Sequence, residues 1–123
     1  MTDSWTIRLP YTTPPLTLNG RMHWATKARI TREVRGYVAV MAMMTKPYPQ
    51  RPIHVTLVYV PRDSRRRDRD NLVATLKPCI DGLVDAGIVP DDTPDFVSWE
   101  PPVIAEPDPK DPHLRLEITR GKR

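Results

Sequence analysis

Apolar and polar residues alternate over Trp-Thr-Ile-Arg-Leu at positions 5–9 and stop at Pro10, which predicts a short strand with one buried face. Residues 10–21 carry three prolines and an Asn-Gly pair, so a loop follows. The rhythm then turns helical. Trp24, Ala28, Ile30, Val34, Tyr37, Val38, Met41 and Met44 share one stripe, with Lys27, Arg29, Arg32 and Arg35 mostly elsewhere on the cylinder. Trp24, spaced with Ile30 and Val34, is expected in the core. The stretch Lys-Pro-Tyr-Pro-Gln-Arg-Pro ends this helix, and the β-branched, alternating residues 53–60 predict a strand running into a charged loop. A second helix is expected over 71–86 from Leu72, Leu76, Cys79, Ile80, Leu83 and Val84, with Gly87 closing it. Pro78 lies inside that span, and a proline past the first helical turn costs roughly 3 kcal/mol or more, so a break or kink is expected near 74–77. Residues 96–104 and 114–119 read as further strands, the first disturbed by Pro101 and Pro102. The order predicts an α+β fold in one domain, residues 1–123, with helices on one side of a small sheet.

Composition narrows the class of protein. A chain of 123 residues with 39% hydrophobic and 28% charged residues reads as one soluble domain, and 15 prolines against 5 glycines imply many stiff turns. The net charge of +4 is local: Arg62, Arg65, Arg66, Arg67 and Arg69 cluster, and Arg120, Lys122 and Arg123 end the sequence. Such clustering favours a polyanionic partner. The lone Cys79 lies on an apolar helical face and is expected to pack rather than react. No signal-like segment starts the sequence, and the longest apolar run, Tyr37 to Met44, is too short to span a bilayer, so a cytoplasmic protein without a membrane partner is expected.

The charged loop is the chemically informative segment. Arg-Arg-Arg-Asp-Arg-Asp-Asn at positions 65–71 mixes arginines suited to phosphates with two carboxylates that would repel them. If the strand direction continues, Asp68 and Asp70 point to the same side. Converging carboxylates repel one another unless a divalent cation lies between them, and magnesium commonly takes one or two carboxylates and keeps several waters. Arginines would then hold the backbone while the aspartates load metal. A solvated, charge-balanced loop is the plain alternative. Helical spacing also places Asp70, Lys77 and Asp81 in a narrow sector opposite Leu72, Leu76 and Leu83, where Lys77 suits a phosphate or simply pairs with Asp81. Asp91 and Asp92 follow the helix end in a turn from which either could return to the first pair. Asn19, Arg21 and Lys27 are further candidates to lie along DNA, whereas His23 suits a surface or helix-start role. Trp99 fits either core or a dimer contact.

Arg65 to Asn71, a helical lysine, and the run Ile-Asp-Gly-Leu-Val-Asp-Ala-Gly-Ile-Val-Pro-Asp-Asp at 80–92 together resemble the RusA-type Holliday junction resolvases. That family carries an arginine-rich run, Asp-x-Asp-Asn, a helical lysine, an Asp-x-Leu-x-x-Ala-Gly-like pattern and an Asp-Asp turn. Pro14 to Arg21 resembles its N-terminal segment more loosely. The resemblance implies a homodimer with a small mixed sheet and helices on one side, which cuts four-way DNA junctions using Mg2+, with Mn2+ as a substitute. It implies metal binding by Asp68, Asp70 and Asp92, with Asp91 in reserve, and DNA binding by Arg65, Arg66, Arg67 and Arg69. The family lysine follows Asp-Asn by three residues, where this chain has Ala74; counting back from Gly87 assigns its role to Lys77.

Overall fold

A computed structural model of the protein describes residues 4–18, 20–45 and 52–120. Strand β1 (Ser4–Arg8) is followed by helix α1 (Trp24–Thr45), β2 (Ile53–Val60), a short 3-10 helix (Arg69–Leu72) and α2 (Val73–Asp85). Strands β3 (Val97–Trp99), β4 (Val103–Ile104) and β5 (His113–Arg120) complete the chain. The sheet is mixed, in the order β1-β5-β2-β3. β5 pairs antiparallel with both β1 and β2, whereas β3 and β4 run parallel to β2 at its two ends, Val97 beside Ile53 and Ile104 beside Tyr59. The stretch expected as one strand over 96–104 is thus two short strands. Pro101 and Pro102 separate them because proline supplies no ladder donor.

Alternation decides which face of the sheet is covered. Ile7, Val55, Leu57, Leu114, Leu116 and Ile118 are fully or almost fully buried and form one core with Val34, Val38 and Ala42 of α1 and Leu76, Cys79 and Leu83 of α2. Both helices therefore pack on the same face, and the other face displays Thr6, Arg8, His54, Thr56, Arg115 and Glu117. Cys79 is buried as expected, and burial pushes its thiol far above the ordinary value. Trp24 departs from expectation: it is 76% exposed. It is the first residue of α1, ten residues before Val34, the first buried position of that helix. Met44, near the other end, is 75% exposed.

Helix α2 runs unbroken through Pro78, contrary to the expected break. The 3-10 helix takes up Asn71 and Leu72, so α2 starts two residues later and Pro78 falls in its second turn. There the proline removes one backbone donor, and its buried ring joins the core beside Leu76, Cys79 and Ile80. Gly87 ends the helical segment with φ of 78°, a left-handed conformation that glycine adopts without penalty. Gly82 has a different task. A Cβ there would lie 2.5 Å from the Arg35 carbonyl oxygen and 2.9 Å from the Val38 Cβ, so its missing side chain sets the approach of α2 to α1. Beside this contact, Arg35 donates to both Asp85 carboxylate oxygens at 2.6 and 2.9 Å.

Candidate functional site

The charged loop leaves the C-terminal end of β2 and is organised by a residue outside the arginine–aspartate motif, Asp63. Arg67 donates one Nη to Asp63 Oδ1 at 2.8 Å and the other to the Asp63 and Arg65 carbonyls at 2.9 and 2.7 Å. The Arg65 backbone N–H donates to Asp63 Oδ1 at 3.1 Å, and the Arg62 and Arg65 guanidinium groups approach Oδ2 at 3.6 and 3.4 Å. The Arg67 hydrogen bond, then that of the Arg65 backbone, holds the Asp63 carboxyl below the usual carboxylate range. Arg67 retains 20% side-chain exposure and lies over the Tyr59 ring, 5.6 Å from its centroid. The sequence signal for Asp63 is a carboxylate two and four residues before basic partners, which is turn spacing. Arg66 and Arg69, by contrast, are exposed, and with Arg67, Asp68, Val103 and Ile104 they line an open cleft of about 550 Å3.

Asp68 and Asp70 are neighbours through a turn, not through strand alternation. Asp68 is extended (φ −101°, ψ 114°) and caps the 3-10 helix, its Oδ1 accepting the Asp70 N–H at 3.0 Å. Asn71 N–H donates to the Asp68 carbonyl at 3.1 Å. The reason is local: an aspartate two residues before a free N–H closes such a turn more readily than it prolongs an unpaired strand. Both carboxylates are on exposed residues. One Asp68 oxygen serves the cap.

The N-terminal loop is tied against this site. Leu18 N–H donates to the Asn71 carbonyl at 3.2 Å, and the buried Thr75 hydroxyl donates to the Leu16 carbonyl at 2.6 Å while lying 3.3 Å from the Leu16 nitrogen. Arg21 and Lys27 are exposed near that loop, Lys27 beside a small cavity bordered by Pro14, Thr17 and Gly20. Asn19, Lys122 and Arg123 lie outside the described residues. His23 takes the helix-start role, its Nδ1 accepting the Ala25 N–H at 3.1 Å. Trp99, 43% exposed on a three-residue strand, is not core. Lys77 is exposed on α2, and Asp81 lies 4.0 Å from Arg35 of α1, so the two helices rather than one helical face hold Asp81.

Asp92 is not brought to Asp68 and Asp70 within the chain. Thr93 carbonyl accepts from Phe96 and Val97 N–H at 2.9 and 3.0 Å, and Phe96 carbonyl accepts from Ile53 N–H, which anchors the acidic turn at the start of β2. Asp68 shares a second, smaller hollow with Tyr59 and Ile104 at the other end of that strand. Six strand residues separate the two ends by about 20 Å. The cause is topological: the parallel return from β2 to β3 requires α2 to carry the chain back to the strand's beginning. In the turn, Asp91 Oδ1 accepts the Asp92 N–H at 2.8 Å, and both residues are exposed. Among the described residues no three His, Cys, Asp or Glu side chains form a group able to hold a metal. The donor chemistry at Asp68 and Asp70 nevertheless fits a magnesium ion that keeps waters and substrate oxygens as its other ligands.

Among the described residues no helix is long and apolar enough to cross a membrane. No protein-family model matches the chain. An uncharacterized protein of Xylella fastidiosa is 30% identical over 86 residues, which cover 65% of this chain and 56% of the relative, so the chain spans little more than half of that relative's length.

Proposed function

We propose that the protein is a magnesium-dependent, structure-selective endodeoxyribonuclease that resolves four-way DNA junctions as a homodimer, in the manner of the RusA-type resolvases it resembles. The observation that carries this reading is the pair Asp68 and Asp70 set in a capped turn with Arg66 and Arg69 exposed around it. A pure phosphate binder gains nothing from two carboxylates among its arginines. Arg66 and Arg69 bind backbone phosphates, Asp68 and Asp70 hold the metal, and Lys77 offsets charge from the exposed side of α2. A bound magnesium supplies activation of a water and stabilisation of the leaving oxygen.

The distance to Asp92 gives the dimer a chemical reason. One chain holds the aspartate pair at one end of β2 and the acidic turn at the other, so a two-fold assembly in which each turn meets the other copy's arginine-lined cleft completes both sites at once. Opposite charges meet in that arrangement, and two sites suit paired cuts in two strands.

The test is cleavage of a four-way junction in Mg2+ beside an EDTA control, with flapped and linear DNA as competitors. Paired nicks in the junction with Mg2+ support the proposal. Preference for flaps assigns another branched substrate. Tight binding without cutting assigns a silent junction-binding module.

A further inference from the structure

Continuous with the open cleft, and sharing Arg66, Arg67, Asp68 and Ile104 with it, lies a narrower groove of about 280 Å3 whose further walls are Pro14, Thr17, Tyr59, Asn71 and Leu72. Arg66, exposed and common to both hollows, is left for a phosphate beside the groove. Pro14, Leu72 and Ile104 are apolar, whereas Asn71 is half-buried and brings an amide that both donates and accepts. Arg67 is a fixed plane here: hydrogen bonds to Asp63 and Arg65 carbonyls restrain its guanidinium, and Tyr59 backs it. A phosphate gains little from apolar walls, and a guanidinium already spent on Asp63 is a poor phosphate clamp. A planar heterocycle suits both, since bases stack on arginine planes and are read by side-chain amides. The groove has room for one such ring and too little for a base pair.

We infer that this groove receives one unstacked nucleobase of the DNA strand whose adjacent phosphate lies at Asp68, with Arg67 and Ile104 as the stacking walls and Asn71 as the group that discriminates among bases. The inference rests on the proposed nuclease reading. It makes the protein a reader of sequence as well as shape: branch points favour entry because unpairing costs least there. It also divides the arginine run by role, Arg66 and Arg69 toward phosphates and Arg67 toward a base.

The experiment places 2-aminopurine singly at each nucleotide around the cut site of a four-way junction and reads its fluorescence with the full-length protein in Ca2+, while cleavage in Mg2+ is measured separately. A several-fold rise confined to one position, lost in Arg67→Lys and Ile104→Ala variants that still bind the junction, is the expected result. Cleavage should then vary by about tenfold with the base at that position, and Asn71→Leu should flatten the variation. Flat fluorescence at every position with normal cleavage overturns the base site and leaves the nuclease reading standing. Equal rises at all positions around the branch, unaffected by either variant, also overturn it, since opening of the junction alone explains them. Absence of any binding or cleavage overturns both.

Discussion

The hydroxyl of Thr75 in α2 is hydrogen-bonded to the backbone of Leu16, 59 residues earlier, through both its carbonyl at 2.6 Å and its nitrogen at 3.3 Å. Thr75 is the one fully buried polar side chain among the described core residues. A single threonine thereby replaces the strand partner that the proline-interrupted loop lacks, and seats Pro14 and Thr17 against the groove beside Asp68. Thr75→Val keeps the shape and removes both bonds, leaving the Leu16 backbone unpaired, so it should destabilise by about 1–3 kcal/mol. Thr75→Ser should lose much less. Urea unfolding of the three proteins measures this, and equal losses for Val and Ser would assign the residue to packing alone.

Two glycines on facing helices should respond with opposite signs. Gly82→Ala forces a methyl against the Arg35 carbonyl and should cost about 1–3 kcal/mol or more. Gly36→Ala meets nothing within 4 Å in mid-helix and should stabilise by about 1 kcal/mol. Thermal unfolding of the single variants gives both numbers.

Asp70→Asn and Asp92→Asn should each abolish cleavage while junction binding persists, and Asp91→Asn should lose little, since counting from Gly87 assigns the third carboxylate to Asp92. If Asp92 acts on the other copy's site, coexpressed Asp70→Asn and Asp92→Asn chains form mixed dimers with one intact site. Nicking should return to about a quarter of wild type when chains assort at random. A site completed within one chain predicts no recovery.

Salt titrations should separate the arginines. Arg66 and Arg69 each neutralise backbone phosphate, so their replacement by alanine should lower the slope of log K against log salt by roughly 0.9 per phosphate on duplex DNA. Arg67→Ala should change that slope less, since its guanidinium is held by Asp63, but should loosen the loop, read as faster proteolysis after Arg65 or Arg66.

Acid should weaken the α1–α2 contact and the charged loop together. Hydrogen bonding to Arg35 holds the Asp85 carboxyl below its ordinary value, as Arg67 does for Asp63. A depressed carboxylate stabilises fully above the unfolded value of about 4 and loses that contribution as pH falls through the lower folded value. Melting temperatures should therefore drop between about pH 4 and pH 2, and Asp85→Asn should be less stable than wild type at neutral pH with a shallower acid limb. Parallel acid limbs for the two proteins would mean that Asp85 contributes nothing to the acid response.

The sequence by itself determined whatever depends on near neighbours. Alternation over 53–60 and helical spacing in 24–44 located β2 and α1, since side-chain direction repeats with period two in a strand and 3.6 in a helix. Cys79 was legible as core for the same reason. The mixture of arginine and aspartate at 65–71 marked a charged site, because unlike charges so close demand a ligand or one another. Tertiary structure decided the rest. It carried α2 through Pro78, where buried neighbours outweigh one missing donor, and left Trp24 outside because an apolar stripe does not reveal where its partner surface ends. It gave Asp63 the task of holding Arg67 and turned Asp68 into a cap, since a loop satisfies its polar groups with whatever lies within reach. Above all it separated Asp92 from Asp68 and Asp70: closeness in sequence across one helix cannot survive a parallel strand pairing, which returns the chain to the opposite end of β2.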